Sequence, residues 1–317
     1  MSNQNPIRFY HLEEVSLPDR PLHLAVGMFD GVHLGHQAVI ETATQSAHAS
    51  TGVCGVLTFW PHPSRLFNPS DPVMMIMPPD IKAGALGGHD VDYIIEQPFD
   101  MGFASIEAID LVAYLKRCLP SLSSIHVGSN WRFGSKRLGD IPMLVELGRK
   151  AGVHVIHVER VNYDGEPISS TRIRKHLTVG EMEEANALLG DIYFSVAEAE
   201  GGKQLGTKMG FPTLNLPWSA ELKPPFGVYC VEVEGLVGGV VVRKKGVANF
   251  GVRPTVEVTD IPVLEVHLLE DCPFTTGDPL KVRWYKFLRS EMKFDGVESL
   301  KMQINKDVRS ARSYWKL

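Results

Sequence analysis

The sequence predicts an α/β protein in two parts, a parallel-sheet domain followed by an antiparallel β-barrel with a terminal helix. Up to about residue 190, apolar strand-like runs alternate with helical patterns, which is typical of a parallel sheet. Beyond that residue, short β-like runs separated by turn residues favour a compact barrel. Leu300, Ile304, Val308 and Ala311 then recur at helical spacing and predict a final helix.

We therefore expect a first domain at residues 1–190 and a second at residues 191–317. Strand-like runs cover residues 24–26, 52–59, 91–95, 125–128 and 153–158, and a helical pattern covers residues 106–119. Residues 178–181 read as a capping box that begins another helix, which Gly190 can end. In the second half the strand-like runs are 228–233, 237–242, 263–269 and 280–284.

Composition argues against several classes of function. The chain has 317 residues, of which 44% are hydrophobic and 22% charged, and its net charge is −5. A nucleic-acid binder is usually basic, and no apolar stretch approaches the length of a membrane span. The four cysteines are far apart and suggest neither a zinc site nor a disulfide framework. We expect a cytoplasmic protein with no nucleic acid, no membrane and no obligatory protein partner.

The most informative stretch is residues 27–36, Gly-Met-Phe-Asp-Gly-Val-His-Leu-Gly-His, between a strand-like run and a helical pattern. A helix start offers unpaired N–H groups to anions, phosphates above all. Gly27 and Gly31 would let the backbone approach such a ligand closely. His33 and His36, three residues apart, share a helix face and could stabilise charge developing on a phosphate. A metal site or an ordinary pair of surface histidines are the alternatives.

Three further segments in the first half carry candidate residues. His62 follows the second strand, where α/β sheets bind ligands. Asn130 and Arg132 lie in a glycine-punctuated basic loop after residues 125–128, which could clamp phosphate or be a surface turn. The hydroxyls and arginine at a later helix start could form a cap or hold phosphates; they are Ser169, Ser170, Thr171 and Arg174. No Gly-x-Gly-x-x-Gly or Walker A string is present, so a dehydrogenase or P-loop ATPase is not favoured.

The second half has one glycine-rich segment and one polar strand. Residues 201–215 could cradle phosphates or form a flexible surface loop. Thr213 and Asn215 would face the same side of a strand, and their oxygens suit Mg²⁺. Glu265 and His267 share one face of a predicted strand, where a carboxylate could also be a solvated surface charge.

These strings resemble, in order, the motifs of prokaryotic bifunctional riboflavin kinase/FAD synthetases. Residues 27–37 resemble Gly-x-Phe-Asp-Gly-Val-His-x-Gly-His-Gln, and residues 58–63 resemble Thr-Phe-x-Pro-His-Pro. Residues 127–140 and 168–174 resemble the family's later motifs, the second of which is shared with HIGH-motif nucleotidyltransferases. Residues 210–215, 246–255, 264–269 and 288–294 resemble the riboflavin kinase motifs. The resemblance spans about residues 20 to 312.

The resemblance implies a Rossmann-like, HIGH-superfamily FMN adenylyltransferase domain followed by a riboflavin kinase barrel. ATP would be the co-substrate with Mg²⁺, riboflavin and FMN the acceptors, and FMN and FAD the products. His33, His36 and Glu265 would be catalytic. The adenylyltransferase would bind nucleotide through Gly27, Phe29, Asp30, Gly31, His62, Asn130, Arg132, Ser169, Ser170, Thr171 and Arg174. The kinase would bind nucleotide through Gly206, Lys208, Gly210, Thr213 and Asn215, with the metal at Thr213 and Asn215, and flavin through Asn249, Arg253 and Arg289.

Two departures from the family pattern keep alternatives open. Thr207 stands where the kinase loop usually has arginine, and residues 274–277 replace the usual Asp-Leu-Tyr-Gly. A FAD synthetase with an inactive, flavin-binding barrel is therefore one alternative. The others are a non-enzymatic flavin or nucleotide sensor and a HIGH-motif nucleotidyltransferase with another acceptor.

Overall fold

A computed structural model of the protein describes residues 6–201, 210–252 and 262–317. The chain folds into two compact units, Met1–Ser170 and Thr171–Leu317. Residues 171–190, which the sequence assigned to the first domain, thus lie in the second unit. The domain boundary at residue 190 stays a prediction. Within the described ranges, no helix is long and apolar enough to cross a membrane.

The first unit is built on a six-stranded sheet in the order β1-β4-β3-β2-β5-β6. The strands are β1 Ile7–Phe9, β2 Leu22–Val26, β3 Val53–Trp60, β4 Tyr93–Pro98, β5 Leu122–Gly128 and β6 His154–Val158. Every pairing is parallel, as the alternating pattern predicted. The chain leaves β2 toward β3 on one side and returns to β5 on the other. Such a reversal of strand order is where open α/β sheets bind ligands, beyond the carboxyl ends of the strands.

Helices cover both faces of this sheet. They are α1 Leu34–Ala49, α2 Ser64–Phe67, α3 Pro79–Gly87, α4 Met101–Ala104, α5 Leu111–Cys118 and α6 Ile141–Ala151. Leu24 and Val26 pack in one core cluster with residues of α5 and α6, whereas Ala25 packs in another with residues of α1 and α3. Alternate side chains of a strand point to opposite faces, so a strand buried on both faces is apolar throughout. A short hairpin follows, with strands β7 Asn162–Tyr163 and β8 Glu166–Pro167.

The second unit is an antiparallel six-stranded barrel in the order β10-β13-β12-β11-β14-β9. Its strands are β9 Phe194–Glu198, β10 Leu214–Pro217, β11 Gly227–Val237, β12 Val240–Gly251, β13 Val263–Leu268 and β14 Pro279–Ser290. A bridge between Glu200 and Asn215 brings the two edges of the sheet together and nearly closes it. Aromatic rings fill the interior around the fully buried Trp284, which packs against Tyr229 and Phe250 at centroid distances of 4.8 and 5.4 Å. Its helices are α7 Ser170–Val179, α8 Met182–Leu189 and α9 Val297–Trp315.

The predicted capping box at residues 178–181 is wrong. α7 continues through Val179 and ends at Gly180, whose φ of 82° few other residues adopt. The Thr178 hydroxyl donates to the carbonyl of Arg174 inside α7. Glu181 occupies the N-cap position of α8, but its carboxylate lies 2.6 Å from His176 Nδ1 and makes no capping hydrogen bond to that helix. Gly190 does end α8 in the left-handed conformation, as predicted.

A chain of hydrogen-bonded polar side chains, all buried except the half-buried Thr42, lies between α1 and the sheet. Ser124 Oγ is 2.7 Å from both His23 Nδ1 and His126 Nε2, and His126 Nδ1 is 2.9 Å from Thr42 Oγ1 on α1. His126 is fully buried. Burial, with a smaller contribution from the nearby His23, lowers the pKa of His126 to about 4. The folded protein therefore keeps this imidazole neutral where an unfolded chain would be protonated.

We expect the first unit to lose stability as the pH falls from about 6.5 to about 4, because only the unfolded state takes up the His126 proton in that window. The free energy of unfolding of the wild type, relative to His126→Gln, should fall by about 3 kcal/mol across it. Denaturant titrations at several pH values measure this difference. His157→Gln, an exposed histidine of β6, serves as the control and should retain the wild-type pH dependence. Parallel pH curves for the wild type and His126→Gln would contradict the assignment.

Candidate functional site

The first candidate site lies where β2 ends and α1 begins. Phe29, Gly31 and Val32 all have positive φ, at 48°, 85° and 41°. Such conformations are strained for a bulky or β-branched residue and persist only where the surroundings fix them. Gly27 lies against Phe29, and a Cβ there would come within 3.2 Å of the Phe29 ring and push it aside. The segment therefore makes a tight, held turn that delivers the chain to the start of a helix.

His33 and His36 are stacked at the amino end of α1. Their ring centroids are 3.5 Å apart with an interplanar angle of 16°. His33 is the N-cap residue, and its Nδ1 accepts a hydrogen bond from the His36 N–H at 3.2 Å. The neutral His33 ring must then carry its proton on Nε2, which leaves that atom as a donor. Gly35 keeps the pair close, since a Cβ there would lie 3.2 Å from the His33 ring.

Asp30 and Ser170 anchor the turn from two directions. The Asp30 carboxylate is buried and accepts hydrogen bonds from the N–H groups of Ile76 and Met77, at 3.0 and 3.2 Å from Oδ1. The Ser170 hydroxyl donates to the Asp30 carbonyl at 2.9 Å. The structure thus brings two motifs that are 140 residues apart into direct contact. Asp30 was predicted to bind nucleotide, but in the structure its carboxylate accepts hydrogen bonds from backbone N–H groups and so shapes the loop.

His62 and Asn130 follow two other strands of the same sheet. His62 comes after β3 and a cis Trp60–Pro61 peptide, and its Nδ1 lies 2.8 Å from the hydroxyl of Ser64. Asn130 is exposed just after β5. Parallel strands end at one edge of the sheet, so His62, Asn130 and the turn after β2 belong to the same edge.

The loop after β5 is rigid at its base and charged on its surface. Trp131 and Phe133 stack at 4.8 Å, and Arg132 Nη1 lies 3.7 Å from the Asp140 carboxylate. Gly134 has a φ of 71° and packs against the backbone of Ala108. A side chain at position 134 would not fit, because its Cβ would lie only 2.4 Å from the Ala108 Cα. The loop therefore leaves the Arg132 guanidinium exposed beside Asp140, and its assignment to nucleotide binding stays a prediction.

The remaining residues of this set lie at the start of α7. Ser169 is half-buried beside Ser170, which begins the helix. Thr171 and Arg174 belong to the second compact unit, so their assignment to the first site stays a prediction.

The second candidate site is a row of polar side chains across the barrel. Asn215 of β10 pairs directly with Glu265 of β13, and Asn249 of β12 pairs with the other side of Glu265. Directly paired residues project to the same face of a sheet. The structure thus brings together a predicted metal and nucleotide residue, the predicted base and a predicted flavin residue. Thr213, two residues before Asn215, is half-buried at the entry to β10.

α9 covers the apolar part of this same barrel face. Val228, Cys230, Val247 and Leu269 form a cluster there with Ala311 of α9. Asn249 is two residues from Val247 and shares its face. The polar row therefore continues the helix-covered patch on the same face of the barrel.

Arg289 is held rigidly at the margin of α9. Its Nε and Nη2 donate to the Asp307 carboxylate at 2.9 and 2.7 Å, and its Nη1 donates to the Ser290 carbonyl at 2.8 Å. Gln303 Nε2 donates to Asp307 Oδ1 at 2.9 Å. Asp307 is buried. The predicted flavin-binding arginine therefore fastens α9 to β14, which fixes its guanidinium in place.

Some predicted kinase residues fall outside the described ranges. These are Gly206, Lys208 and Arg253, together with the departure at Thr207. Gly210, with a φ of 89°, is exposed at the edge of the described segment. Among the described residues, no group of His, Cys, Asp and Glu is arranged to hold a metal ion.

Sequence reasoning missed Lys82, Thr58 and Asp307. Thr58 lies inside the quoted Thr-Phe-x-Pro-His-Pro motif, but a hydroxyl in a strand gives no sign of its partner. Lys82 is fully buried on α3, where a lysine is expected to face solvent. Burial lowers the pKa of Lys82 to about 8, an effect that the neighbouring carboxylates of Glu96 and Asp30 oppose. Only the packed structure could identify such a group.

Two family models match the chain, one over each site. The model described as FAD synthetase matches residues 17–172, and the model described as riboflavin kinase matches residues 189–315. The first match contains the stacked histidines and the second contains the row of Asn215, Glu265 and Asn249.

Curated relatives match the chain over nearly its whole length. The bifunctional riboflavin kinase/FMN adenylyltransferase of Bacillus subtilis is 35% identical, with 92% of each chain covered. The proteins of that name from Haemophilus influenzae and Escherichia coli K12 are 33% and 32% identical, covering 92% and 95% of this chain and 94% and 95% of their own. A crystal structure of a protein from Streptococcus pneumoniae, called a macrolide-efflux protein, matches with a TM-score of 0.85 at 26% identity, covering 98% of this chain and 99% of that one.

We expect Asp307→Asn to lower the free energy of unfolding of the second unit by about 2 kcal/mol, because it leaves the Arg289 guanidinium without its buried charge partner. Denaturant unfolding measures the change. Glu270→Gln is the control: its carboxylate pairs with Lys244 at 3.0 Å with 42% of the side chain exposed, and its loss should cost less than about 1 kcal/mol. Equal losses in the two variants would show that Asp307 does not fasten α9.

Proposed function

The chain belongs to the bifunctional riboflavin kinase/FMN adenylyltransferase family, and we propose that its two sites convert riboflavin to FMN and then FMN to FAD. Both steps consume ATP, the first releasing ADP and the second pyrophosphate. The observation that carries the proposal is the presence of two separate polar sites, one in each compact unit, at the positions of the two family motifs. We assign residues 1–190 to adenylyl transfer and residues 191–317 to the kinase.

In the kinase step, Glu265 takes the proton from the riboflavin 5′-hydroxyl, and the resulting oxygen attacks the γ-phosphorus of ATP. A base works best within hydrogen-bond reach of the proton it removes. Glu265 stands between Asn215 and Asn249 in the cross-strand row, so nucleotide on the β10 side and flavin on the β12 side would meet at the carboxylate. Arg289, fixed by Asp307, supplies a rigid cation at the flavin end. Gly210, Gly206 and Lys208 would complete the ATP side, and Arg253 the flavin side.

The hydroxyl of Thr213 and the amide oxygen of Asn215 would hold Mg²⁺ in this site. Both are hard oxygen donors, which Mg²⁺ prefers, and ATP phosphates and water normally complete its coordination. When bound, the ion would neutralise charge on the transferred phosphoryl group.

In the adenylyl-transfer step, a phosphate oxygen of FMN attacks the α-phosphorus of ATP and pyrophosphate leaves. No protein nucleophile is required. The Nε2–H of His33 and the ring of His36 donate to oxygens that gain charge, and the amino end of α1 adds its backbone N–H groups. Backbone of Gly27, Phe29 and Gly31 lines the turn beside them.

The surrounding segments would hold the nucleotide and the leaving group. His62 and Asn130 bind nucleotide from the ends of β3 and β5, and Arg132 adds charge. Ser169, Ser170, Thr171 and Arg174 hold the β- and γ-phosphates. Such positioning accounts for most of the catalysis in phosphoryl-group chemistry. We infer a cytoplasmic enzyme that needs neither nucleic acid nor an obligatory protein partner.

The first test is a chromatographic assay of the purified protein with riboflavin, ATP and Mg²⁺. We expect FMN to appear first and FAD to follow, and chelation of Mg²⁺ to stop both reactions. FAD from supplied FMN without FMN from riboflavin would show that the barrel is inactive. Absence of FAD in both cases would overturn the proposed acceptor.

Two variants separate the sites within one chain. Glu265→Gln should lower FMN formation by about a hundredfold or more and leave adenylylation of supplied FMN unchanged. His33→Asn keeps an N-cap acceptor for the His36 N–H but removes the imidazole donor. It should lower adenylyl transfer by about a hundredfold with normal kinase activity. Each variant should unfold at the wild-type midpoint, which shows that the substituted unit is folded, and loss of both activities in either variant would contradict the separation.

A further inference from the structure

Hydrogen bonds fix four backbone carbonyls of the turn between β2 and α1. Val32 O accepts from the Gln37 side chain at 2.8 Å, Phe29 O from the Val32 N–H at 3.1 Å, and Asp30 O from Ser170 as described. Met28 O accepts from the hydroxyl of Thr58 at 3.0 Å. The donor of this last hydrogen bond lies in strand β3 of the sheet and is not one of the site residues.

Thr58 is in turn bound by a buried lysine. Lys82 Nζ lies 2.9 Å from Thr58 Oγ1, and both residues are fully buried. An ammonium group can only donate hydrogen bonds, so Thr58 Oγ1 must accept from Lys82. The single hydroxyl proton of Thr58 is then donated to the Met28 carbonyl. The direction of both hydrogen bonds is therefore fixed by the lysine. The carboxylates of Glu96 and Asp30 lie close enough to favour the charged amine.

The Met28 carbonyl belongs to the peptide that sets Phe29 in its positive-φ conformation. The Phe29 ring packs edge-on against His36 at a centroid distance of 5.3 Å. Releasing the Met28 carbonyl would let Phe29 relax and would remove the support behind His36. A small displacement of a catalytic group has a large effect on rate when positioning supplies much of the catalysis.

We infer that Lys82, acting through Thr58 and the Met28 carbonyl, is a positioning residue that sets the geometry of the His33–His36 pair for adenylyl transfer. The inference rests on the proposed adenylyl transfer at that pair. Neither Lys82 nor Thr58 touches the reacting atoms in this assignment. Their effect reaches the site through one fixed carbonyl, so it should be seen in kcat more than in KM.

The test compares Thr58→Val, Thr58→Ser, Lys82→Met and the double variant Lys82→Met/Thr58→Val in the full-length chain. We expect Thr58→Val to lower kcat of FMN adenylylation at least tenfold with little change in KM for ATP or FMN. Thr58→Ser, which keeps the hydroxyl, should restore most of it. The double variant should lose no more than the worse single variant, because both substitutions break one chain of hydrogen bonds.

Thr44→Val is the matched control, since its buried hydroxyl donates to the Glu41 carbonyl inside α1 and does not reach the turn. The unfolding midpoint reports folding in every variant, and riboflavin kinase activity, assigned to the second unit, should stay at the wild-type level. If Lys82→Met does not fold, the kcat values of Thr58→Val and Thr58→Ser still test the inference. Wild-type kcat in Thr58→Val, failed rescue by serine, or losses that multiply in the double variant would overturn the inference. A wild-type chain that makes no FAD from FMN would instead overturn the proposed function.

Discussion

The first site depends on a backbone turn that the chain adopts only under restraint. Between β2 and α1, a phenylalanine and a valine both take positive φ, at a cost on the order of 1–3 kcal/mol each. This strained turn fixes the positions of two histidines. The turn places His33 as the N-cap of α1 and stacks His36 against it at 3.5 Å, where helix N–H groups also point. Hydrogen bonds from β3, α1, the segment before α3 and the start of α7 hold the turn in place.

The second site depends on strand register rather than on strain. Glu265 stands between two asparagines only because β13 pairs in register with β10 on one side and β12 on the other. A slip of one residue would turn every side chain of β13 to the opposite face. The apolar residues Leu264 and Val266, which are fully buried, prevent that slip because it would expose them. The barrel core thus fixes the position of Glu265, the proposed base.

The two candidate sites therefore obtain their geometry by different means. The first uses the end of a parallel sheet and a helix start, where backbone N–H groups converge. The second uses the polar margin of a barrel face whose apolar part is covered by α9. The pair of the half-buried Arg289 and the buried Asp307 joins that helix to β14. Because each site draws its geometry from its own core, a substitution in one can be tested against the activity of the other.

Local patterns in the sequence determined the fold class, most strand positions and the motif residues. Continuous apolar strand-like runs that alternate with helical patterns predict a parallel sheet buried on both faces. Gly-rich turns before a helix predict a phosphate site because of the unpaired N–H groups at the helix start. The same local reading misplaced a cap at residues 178–181, where only the path of α7 decides whether Thr178 is inside the helix or before it. The tertiary structure alone decided which distant groups meet: Ser170 with the Asp30 carbonyl, Lys82 with Thr58, Asn249 with Glu265, and Asp307 with Arg289. Such contacts join residues whose separation along the chain carries no periodic signal, so only packing can bring them together.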